Sequence, residues 1–297
     1  MKRKNNSLPY HLMLLPGVLA VLLFNTVTWL GIFIAFQDFI PSKGWFGSPW
    51  VGLENFEIFF GMPDSWQVLR NTLVIAVGKI VFGTLAAILF ALLLNELRNQ
   101  RLKKSIQTAV YLPHFVSWVI YATIMRSMLG AEGLVNQVLQ TLGGQEPVLF
   151  LGTPSLFPWV MILTETLKEF GFSAIVYLSA ITAIDPGLYE AAEIDGAGRW
   201  QQAVHVTLPG LRTIIVLMAT LSLGNVLNAG FDQIFNMYNP LVYSTGDIID
   251  TYVYRVGLIS INYGVGSAVG LFKSVISIIL MTAAYWMAAK FADYRIF

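Results

Sequence analysis

The sequence predicts an all-α integral membrane protein with six transmembrane helices. Hydrophobic residues make up 56% of the 297 residues and charged residues only 12%, where a soluble domain carries about 25% charged residues. The mean hydropathy of +0.65 leaves too little polar surface to cover a particle of this size in water. Six apolar runs are each long enough to cross a hydrocarbon core, which takes about 20 helical residues. We expect one transmembrane domain over residues 1–297.

The predicted spans are defined by these apolar runs. They cover residues 12–36, 72–94, 106–129, 156–183, 208–230 and 267–289. The first run follows Lys2, Arg3 and Lys4 as a signal peptide would, but it is much longer than the about 7 to 15 apolar residues of such a segment. We therefore expect it to be a retained helix.

The positive charges of the connections predict the orientation of the spans. An even number of spans puts both termini on one side, and that side carries ten basic residues: Lys2, Arg3, Lys4, Arg98, Arg101, Lys103, Lys104, Arg199, Lys290 and Arg295. The other side carries three: Lys43, Arg70 and Arg255. Because cytoplasmic connections are enriched in Lys and Arg, both termini are predicted to be cytoplasmic. Trp45, Phe46 and Trp50 then lie on the external side, where an interfacial aromatic belt is expected.

Several classes of function find no support in the sequence. A net charge of +1 gives no reason to expect nucleic-acid binding, and the absence of cysteine excludes disulfides and thiolate metal sites. The three histidines lie on separate segments, so we expect no metal site. No phosphate-binding G-x-x-x-x-G-K-[ST] motif occurs. The run GVGSAVG at 264–270 opens a membrane helix, so it indicates close helix packing instead of a nucleotide site.

The connection after the fourth span, residues 185–209, has the pattern of a helix, a break and a second helix. Asp185 is suited to the N-cap and Pro186 to the first helical position. Gly196 and Gly198 allow a sharp turn, after which a short helix begins near Arg199. Its apolar face is formed by three residues: Trp200, Ala203 and Val204.

This connection has two conceivable partners, a lipid surface and another protein. Four acidic residues face a single basic one, Arg199, and they are Asp185, Glu190, Glu193 and Asp195. An anionic inner leaflet disfavours such a surface. Small side chains at Ala191 and Ala192 allow another protein to approach closely, and Glu190 offers it a carboxylate. Contact with a protein is therefore the favoured interpretation.

The segment EAAEIDGAGRWQQAVHVTLP, residues 190–209, resembles the EAA loop of binding-protein-dependent ABC importer permeases. The anchors in register are Glu190, Ala191, Ala192, Asp195, Gly196, Ala197, Val206, Leu208 and Pro209. Further stretches, AFQDFIPSKGWFGSPWVGLENF at 35–56 and LLLNELRNQRLKKSIQTAVYLPHFVSWV at 92–119, resemble maltose-type sugar permeases, in particular the branch that imports polysaccharide-derived oligosaccharides. His205 departs from the family pattern, where many relatives have Lys.

This resemblance implies a type I ABC importer permease fold and a set of partners. They are a second homologous permease, two cytoplasmic ABC ATPase subunits that bind ATP and Mg²⁺, an extracellular substrate-binding protein or lipoprotein, and an oligosaccharide. The chain itself is then a translocation subunit without catalytic activity or a cofactor of its own. The ATPase-coupling residues implied are Glu190, Ala191, Ala192, Asp195, Gly196, Leu208 and Pro209. A heterodimer of permeases is expected on the resemblance alone.

Polar residues within two spans suggest a substrate path. Ionisable groups in a membrane are costly and indicate function by default. The fourth span carries Glu165, Lys168, Glu169 and Phe172, and the fifth carries Ser222, Asn225 and Asn228. At helical spacing each set forms a stripe, so the two faces are predicted to line a water-filled cavity. The alternative is internal pairing of Lys168 with its acidic neighbours. The predicted path residues are Glu165, Glu169, Phe172, Ser222 and Asn225.

The leading function is thus import of an oligosaccharide, and two other classes compete with it. An ion-coupled secondary transporter would use the intramembrane carboxylates, but it leaves the EAA register unexplained. A membrane enzyme lacks a recognisable motif such as HExxH or G-x-S-x-G. A uronate-rich substrate would require cations to offset Glu165 and Glu169, for which the sequence offers Lys79, Arg126, Lys168 and Lys273.

Overall fold

The structure of the protein, a computed structural model, describes residues 8–143 and 146–291. Within these residues every regular element is a helix, and the pairing of Gln37 with Trp50 is an isolated bridge. The terminal basic residues counted for the orientation, Lys2, Arg3, Lys4 and Arg295, lie outside the described residues. The chain forms two compact parts. Among the described residues, the first comprises those up to Pro63 together with Tyr252–Phe272, and the second comprises those from Asp64 to Thr251 together with those from Lys273 onward.

The helices are numbered in chain order. They are α1 (Leu8–Val21), α2 (Gly44–Gly47), α3 (Glu54–Gly61), α4 (Ser65–Asn95), α5 (Gln100–Tyr111), α6 (Trp118–Leu129), α7 (Leu134–Thr141), α8 (Phe157–Thr182), α9 (Pro186–Ile194), α10 (Arg199–Gln202), α11 (Leu208–Gly210), α12 (Arg212–Gly224), α13 (Phe231–Met237), α14 (Tyr243–Gly246), α15 (Ile249–Val253) and α16 (Tyr263–Phe291). Wider or tighter helical turns occupy Leu22–Thr26, Val27–Phe36, Leu112–Phe115, Ala203–Thr207, Pro240–Val242 and Tyr254–Ile259.

Three helical runs are long and apolar enough to cross a membrane alone: Pro9–Phe36, Ser65–Asn95 and Tyr263–Trp286. Three bent pairs pass the same test when each is counted as one span. They are Gln100–Phe115 with Trp118–Thr141, Phe157–Thr182 with Pro186–Ile194, and Arg199–Gly210 with Arg212–Gly224. Counted in this way, the described residues contain six spans, the number predicted. The first span is less regular than predicted, because its α-helix ends at Val21 and the chain continues through two other helical forms.

The third span, predicted as one helix over 106–129, is broken in the middle. The two halves meet at an angle of 104°. Pro113 lies in the tight turn Leu112–Phe115, and Ser117 starts the next helix by accepting a hydrogen bond from the amide of Ile120 at 3.4 Å. Proline has no backbone N–H to donate, and Ser117 caps the start of a new helix. The hydrogen-bond ladder is therefore interrupted at this point.

The fifth span is also shorter than predicted. Its regular helix α12 ends at Gly224 instead of continuing to residue 230, and a bend of 56° separates it from the segment before it. Asn225 follows in a non-helical conformation with φ −107° and ψ 12°, and Gly230 has a φ of +92°. Asparagine and glycine tolerate such conformations well, and both favour helix ends. The stripe predicted along one helix therefore continues on an irregular segment.

The first part is held together by close contacts around the start of α16. The Asn55 amide donates to the carbonyls of Ala35 and Gln37, both at 3.0 Å. A side chain at Gly264 would lie 2.7 Å from the Gln37 carbonyl, and one at Gly266 would lie 2.7 Å from the Cα of Gly257. The GVGSAVG run thus permits close helix packing, as predicted.

The second part has its core between α4 and α8. Small residues of α4, Ala87 and Ala91, pack against α8 and against Leu211, and all are fully buried. Glycines bring further contacts: a methyl group at Gly171 would lie 2.5 Å from the carbonyl oxygen of Val110. The absence of a side chain at this position allows α8 to lie directly on the backbone of α5.

We expect Gly171→Ala to destabilise the second part, because its methyl group meets a backbone atom that cannot rotate away. Overpacking of this kind costs about 1 to 3 kcal/mol. Gly83→Ala is the matched control, since Gly83 is also helical and has no atom within 4 Å of the added methyl. Thermal unfolding of the purified proteins in detergent should show a lower midpoint for Gly171→Ala only. Equal midpoints would contradict the close contact.

Candidate functional site

A cavity whose lining includes charged and polar side chains lies in the second part of the chain, within otherwise apolar helices. Its volume is about 370 Å³. Its walls come from α4, α8, α12 and the irregular segment after α12. The lining residues are Ala76, Lys79, Ile80, Gly83, Thr84, Ala87, Glu165, Thr166, Glu169, Phe170, Ser173, Tyr177, Met218, Leu221, Ser222, Asn225, Asn228, Ala229 and Gly230.

The first charged pair of the cavity joins α4 to α8. The Lys79 Nζ lies 3.2 Å from Glu165 Oε2 and 2.6 Å from the carbonyl of Ala229, and it also donates to the side chain of Gln233. Gln233 is fully buried and donates in turn to Met161 and Thr164 on α8. Lys79 therefore connects three elements at one point, and its charge is balanced by Glu165.

A second set of charged contacts is centred on Glu169. One carboxylate oxygen lies 2.9 Å from Lys168 Nζ, and the other lies 2.5 Å from Nδ1 of His114. Lys168 is buried, also donates to the His114 carbonyl at 2.9 Å, and lies 5.0 Å from the centre of the Trp118 ring. Both oxygens of Glu169 are thus occupied by donors. Each carboxylate of the cavity has a basic partner, as burial of charge in a membrane requires.

Four of the five predicted path residues line this cavity: Glu165, Glu169, Ser222 and Asn225. Phe172 is not among the lining residues. Its ring instead stacks on His114, with centroids 3.8 Å apart and an angle of 2° between the planes. The broken third span delivers His114 to that position, so the ring of Phe172 contacts a side chain that the continuous helix predicted for this span did not anticipate.

The four basic residues that were expected to balance the cavity's carboxylates for an acidic substrate have different surroundings. Internal pairing, the alternative for Lys168, is observed with Glu169, whereas Glu165 pairs with Lys79. Lys273 binds Asp250 at 2.6 Å, away from the cavity lining, and Arg126 is exposed on α6. Only Lys79 among the four lines the cavity. His114 was not among the predicted site residues, although a histidine directly after Pro113 within an apolar run is a detectable signal.

The connection at 185–209 has the helix, break and helix that the sequence predicts. The Asp185 carboxylate caps α9 by accepting a hydrogen bond from the Gly187 amide at 2.9 Å. Gly196 provides the break with a φ of +80°, a conformation that side chains strongly disfavour. After it, α10 begins at Arg199, with Gly198 at its N-cap.

Internal contacts hold the two arms of this connection together. The hydroxyls of Tyr189 and Thr207 share a hydrogen bond of 2.9 Å. Gly210 lies so close to Ile184 that an added side chain would meet it at 2.7 Å. These contacts give the connection a defined shape, which is required of a surface that receives a partner.

The surface of the connection is exposed and partly apolar. Ile194 is 86% exposed and Trp200 79% exposed. The predicted coupling residues lie around them: Glu190, Ala191, Asp195, Gly196 and Pro209 are exposed, and Ala192 and Leu208 are half-buried. Exposed large apolar side chains beside carboxylates are typical of a protein-binding surface.

The connection also lies, along the chain, between two of the helices that line the cavity. It follows α8, which carries Glu165 and Glu169, and it precedes α12, which carries Ser222. The bends at its two ends are 71° and 56°. The connection therefore joins two of the cavity's walls directly along the chain.

Comparison with known proteins places the chain in a family. Residues 79–293 match the family described as the binding-protein-dependent transport system inner membrane component. The chain belongs to this family. The protein is therefore a permease component of an ABC importer and a multi-pass protein of the inner membrane. The secondary transporter considered as an alternative is set aside.

Individual relatives cover almost the whole permease. It is 40% identical to Protein LplB of Bacillus subtilis (strain 168) over 97% of this chain and 90% of that protein. It is 42% identical to the polygalacturonan/rhamnogalacturonan transport system permease protein YteP of the same organism, over 97% of this chain and 89% of that protein. The resemblance to polysaccharide-type sugar permeases is confirmed.

A solved structure shares the fold of the permease. The crystal structure of a bacterial ABC transporter involved in the import of the acidic polysaccharide alginate contains a chain that superposes with a TM-score of 0.88 at 35% identity, covering 96% of both chains. The type I permease fold is confirmed.

The ion pair between Lys79 and Glu165 predicts that substitutions of the two residues have non-additive effects on the free energy of unfolding. Lys79→Met should lower the free energy of unfolding by on the order of 2 kcal/mol, because it leaves the Glu165 carboxylate without its basic partner. The double variant with Glu165→Gln should recover part of this loss. Thermal unfolding of the wild type, both single variants and the double variant measures the coupling. Strictly additive losses would show that the two side chains do not depend on each other.

Proposed function

We propose that this permease translocates oligosaccharides derived from a complex polysaccharide, and that the cavity between α4, α8 and α12 forms part of their route. The observation that carries the proposal is the cavity itself: carboxylates, an amide and hydroxyls face one space inside an apolar protein. The relatives named for polygalacturonan, rhamnogalacturonan and alginate support a substrate of this class.

The lining offers the groups that sugar recognition requires. Sugar hydroxyls donate to carboxylates and both donate to and accept from amides, for which Glu169 and Asn225 are available. Aromatic rings stack on the apolar faces of sugars. Phe170, which is half-buried at the wall of the cavity, supplies such a ring, in the role first expected of Phe172. Ser222 adds a hydroxyl on the opposite wall.

The charge of the cavity is compatible with an acidic sugar. Glu165 and Glu169 alone would repel a uronate, but Lys79 and Lys168 balance them one for one. The structurally similar alginate importer handles an acidic polysaccharide, and a further crystal structure holds a bacterial alginate ABC transporter in complex with an alginate pentasaccharide-bound periplasmic protein. We therefore extend the proposal to short, uronate-containing oligosaccharides.

The connection at 185–209 is proposed to couple this permease to ATP hydrolysis in other chains. A second homologous permease completes the pore, two cytoplasmic ATPase subunits bind ATP and Mg²⁺, and an extracellular binding protein delivers the sugar. The chain itself hydrolyses nothing, and both termini lie in the cytoplasm. ATP binding brings the two ATPases together and moves the connections, so that the cavity changes from inward-facing to outward-facing. The exposed Glu190, Ile194 and Trp200 provide the contact surface.

Coupling should depend on the conformation at Gly196. Gly196→Val forces a β-branched residue into a left-handed conformation, at a cost of about 1 to 2 kcal/mol, and should abolish uptake with the protein still inserted in the membrane. Gly198→Val is the matched control, because Gly198 has a φ of −72° that valine adopts readily. Glu190→Lys should also abolish uptake, through reversed charge. Normal sugar-stimulated ATP hydrolysis in Gly196→Val and Glu190→Lys would refute the coupling role.

Substrate contact should depend on Asn225. We expect Asn225→Leu to lower the uptake rate about tenfold, because it removes an amide from the cavity wall. Asn236→Leu is a matched control: each asparagine donates to the carbonyl four residues earlier, but Asn236 is not among the lining residues. Uptake of radiolabelled sugar into proteoliposomes distinguishes the two. An undiminished rate for Asn225→Leu would remove this segment from the route.

The substrate itself is identified by a direct assay. The complete transporter, purified with its native partner chains, is reconstituted and offered its binding protein loaded with defined glycans. We expect short uronate oligosaccharides to stimulate ATP hydrolysis, and inorganic ions or amino acids to have no effect. Stimulation by a non-carbohydrate only would overturn the proposal.

A further inference from the structure

The broken third span brings a histidine directly behind the cavity wall. His114 lies in the turn Leu112–Phe115, where the two halves of the span meet at 104°. Its side chain is 29% exposed, and two aromatic rings pack on it: Phe172 stacks on it with centroids 3.8 Å apart, and Phe115 contacts it edge to face at 5.2 Å. The orientation of the imidazole is therefore defined by packing before any hydrogen bond is considered.

The imidazole donates to a carboxylate that lines the cavity. Nδ1 of His114 lies 2.5 Å from Oε2 of Glu169. Because a carboxylate only accepts hydrogen bonds, this contact requires a hydrogen on Nδ1. The other oxygen, Oε1, is bound by Lys168, which also donates to the backbone carbonyl of His114. His114, Lys168 and Glu169 thus form a closed set of three contacts.

We propose that His114 is a positioning residue that makes the cavity tolerant of acidic sugars by holding the Glu169 carboxylate against Lys168. This inference rests on the proposed function. With both oxygens bound from behind, Glu169 presents little net negative charge to the cavity. Without the imidazole donor, Oε2 is released towards the cavity as an exposed anion. A uronate is then repelled, whereas an uncharged sugar of the same shape is not.

Two substitutions separate the hydrogen bond from the packing. His114→Phe keeps an aromatic ring against Phe172 and loses the donor. His114→Asn keeps a donor near the position of Nδ1 and loses the stacked ring. If the hydrogen bond matters, His114→Asn keeps the uptake of the acidic sugar that His114→Phe loses. If only packing matters, the order is reversed.

The readout is the ratio of uptake for two glycans that differ only in charge. Proteoliposomes with the complete transporter are given its binding protein loaded with an oligogalacturonate or with the methyl ester of the same oligogalacturonate, and binding of both glycans to that protein is measured first. We expect His114→Phe to lower uptake of the acid about tenfold relative to wild type and that of the ester less than twofold. His114→Asn should keep both within about threefold.

A loss of folding lowers both rates together, so the ratio distinguishes it from the proposed role. Equal losses for acid and ester in His114→Phe, or no loss for either, would overturn the inference. If His114→Phe does not assemble, His114→Met fills the same space without a donor and is read by the same ratio.

The same assay separates this inference from the proposed function. If the wild-type transporter carries neither glycan, the proposed substrate is wrong, and the role of His114 falls with it. If the wild type carries both glycans but the ratio does not change in His114→Phe, only the positioning role is overturned.

Discussion

The structure of the second part depends on the pairing of charges inside a protein that is surrounded by lipid. Burying an unpaired carboxylate or ammonium inside a membrane protein costs several kcal/mol of stability. Each charged group therefore needs a partner, either on another element or on its own helix. Lys79 on α4 meets Glu165 on α8, and Lys168 meets Glu169 beside it. These pairs orient α4, α8 and the segment after α12 around one space. The polar cavity is the result of satisfying these charges.

The same requirement explains why irregular backbone surrounds the cavity. Carbonyls released by a break in a membrane helix need donors, since lipid offers none. Lys79 donates to the Ala229 carbonyl after the end of α12, and Lys168 donates to the His114 carbonyl at the break of the third span. The two lysines therefore serve two purposes. They neutralise carboxylates, and they stabilise the non-helical turns that shape the walls.

Much of this architecture was accessible from the sequence, for identifiable reasons. Each span requires a long apolar run, so hydropathy located all six. Local capping and turn rules predicted the shape of the connection at 185–209 through Asp185 and Gly196. The site was harder. Glu165 and Glu169 line one cavity, as their ionisable side chains led us to expect, but the partner of Glu165 lies 86 residues earlier in the chain, at Lys79, and no local pattern indicates it. Phe172 was misplaced because its neighbour, His114, comes from a break whose angle the sequence does not specify.

The shortness of α12 has a mechanical consequence. With 13 residues and a rise of about 1.5 Å per residue, the helix is a rigid rod roughly 20 Å long. Its N-terminal end is anchored by Leu211, which is fully buried among Ala87, Ala91, Ile181 and their neighbours. A rod pivoting there acts as a lever: a rotation of about 3° displaces the far end, next to Asn225, by roughly 1 Å. Such a displacement exceeds the tolerance of a hydrogen bond, so a tilt of a few degrees at Leu211 is enough to change the hydrogen-bonding distances at this wall of the cavity.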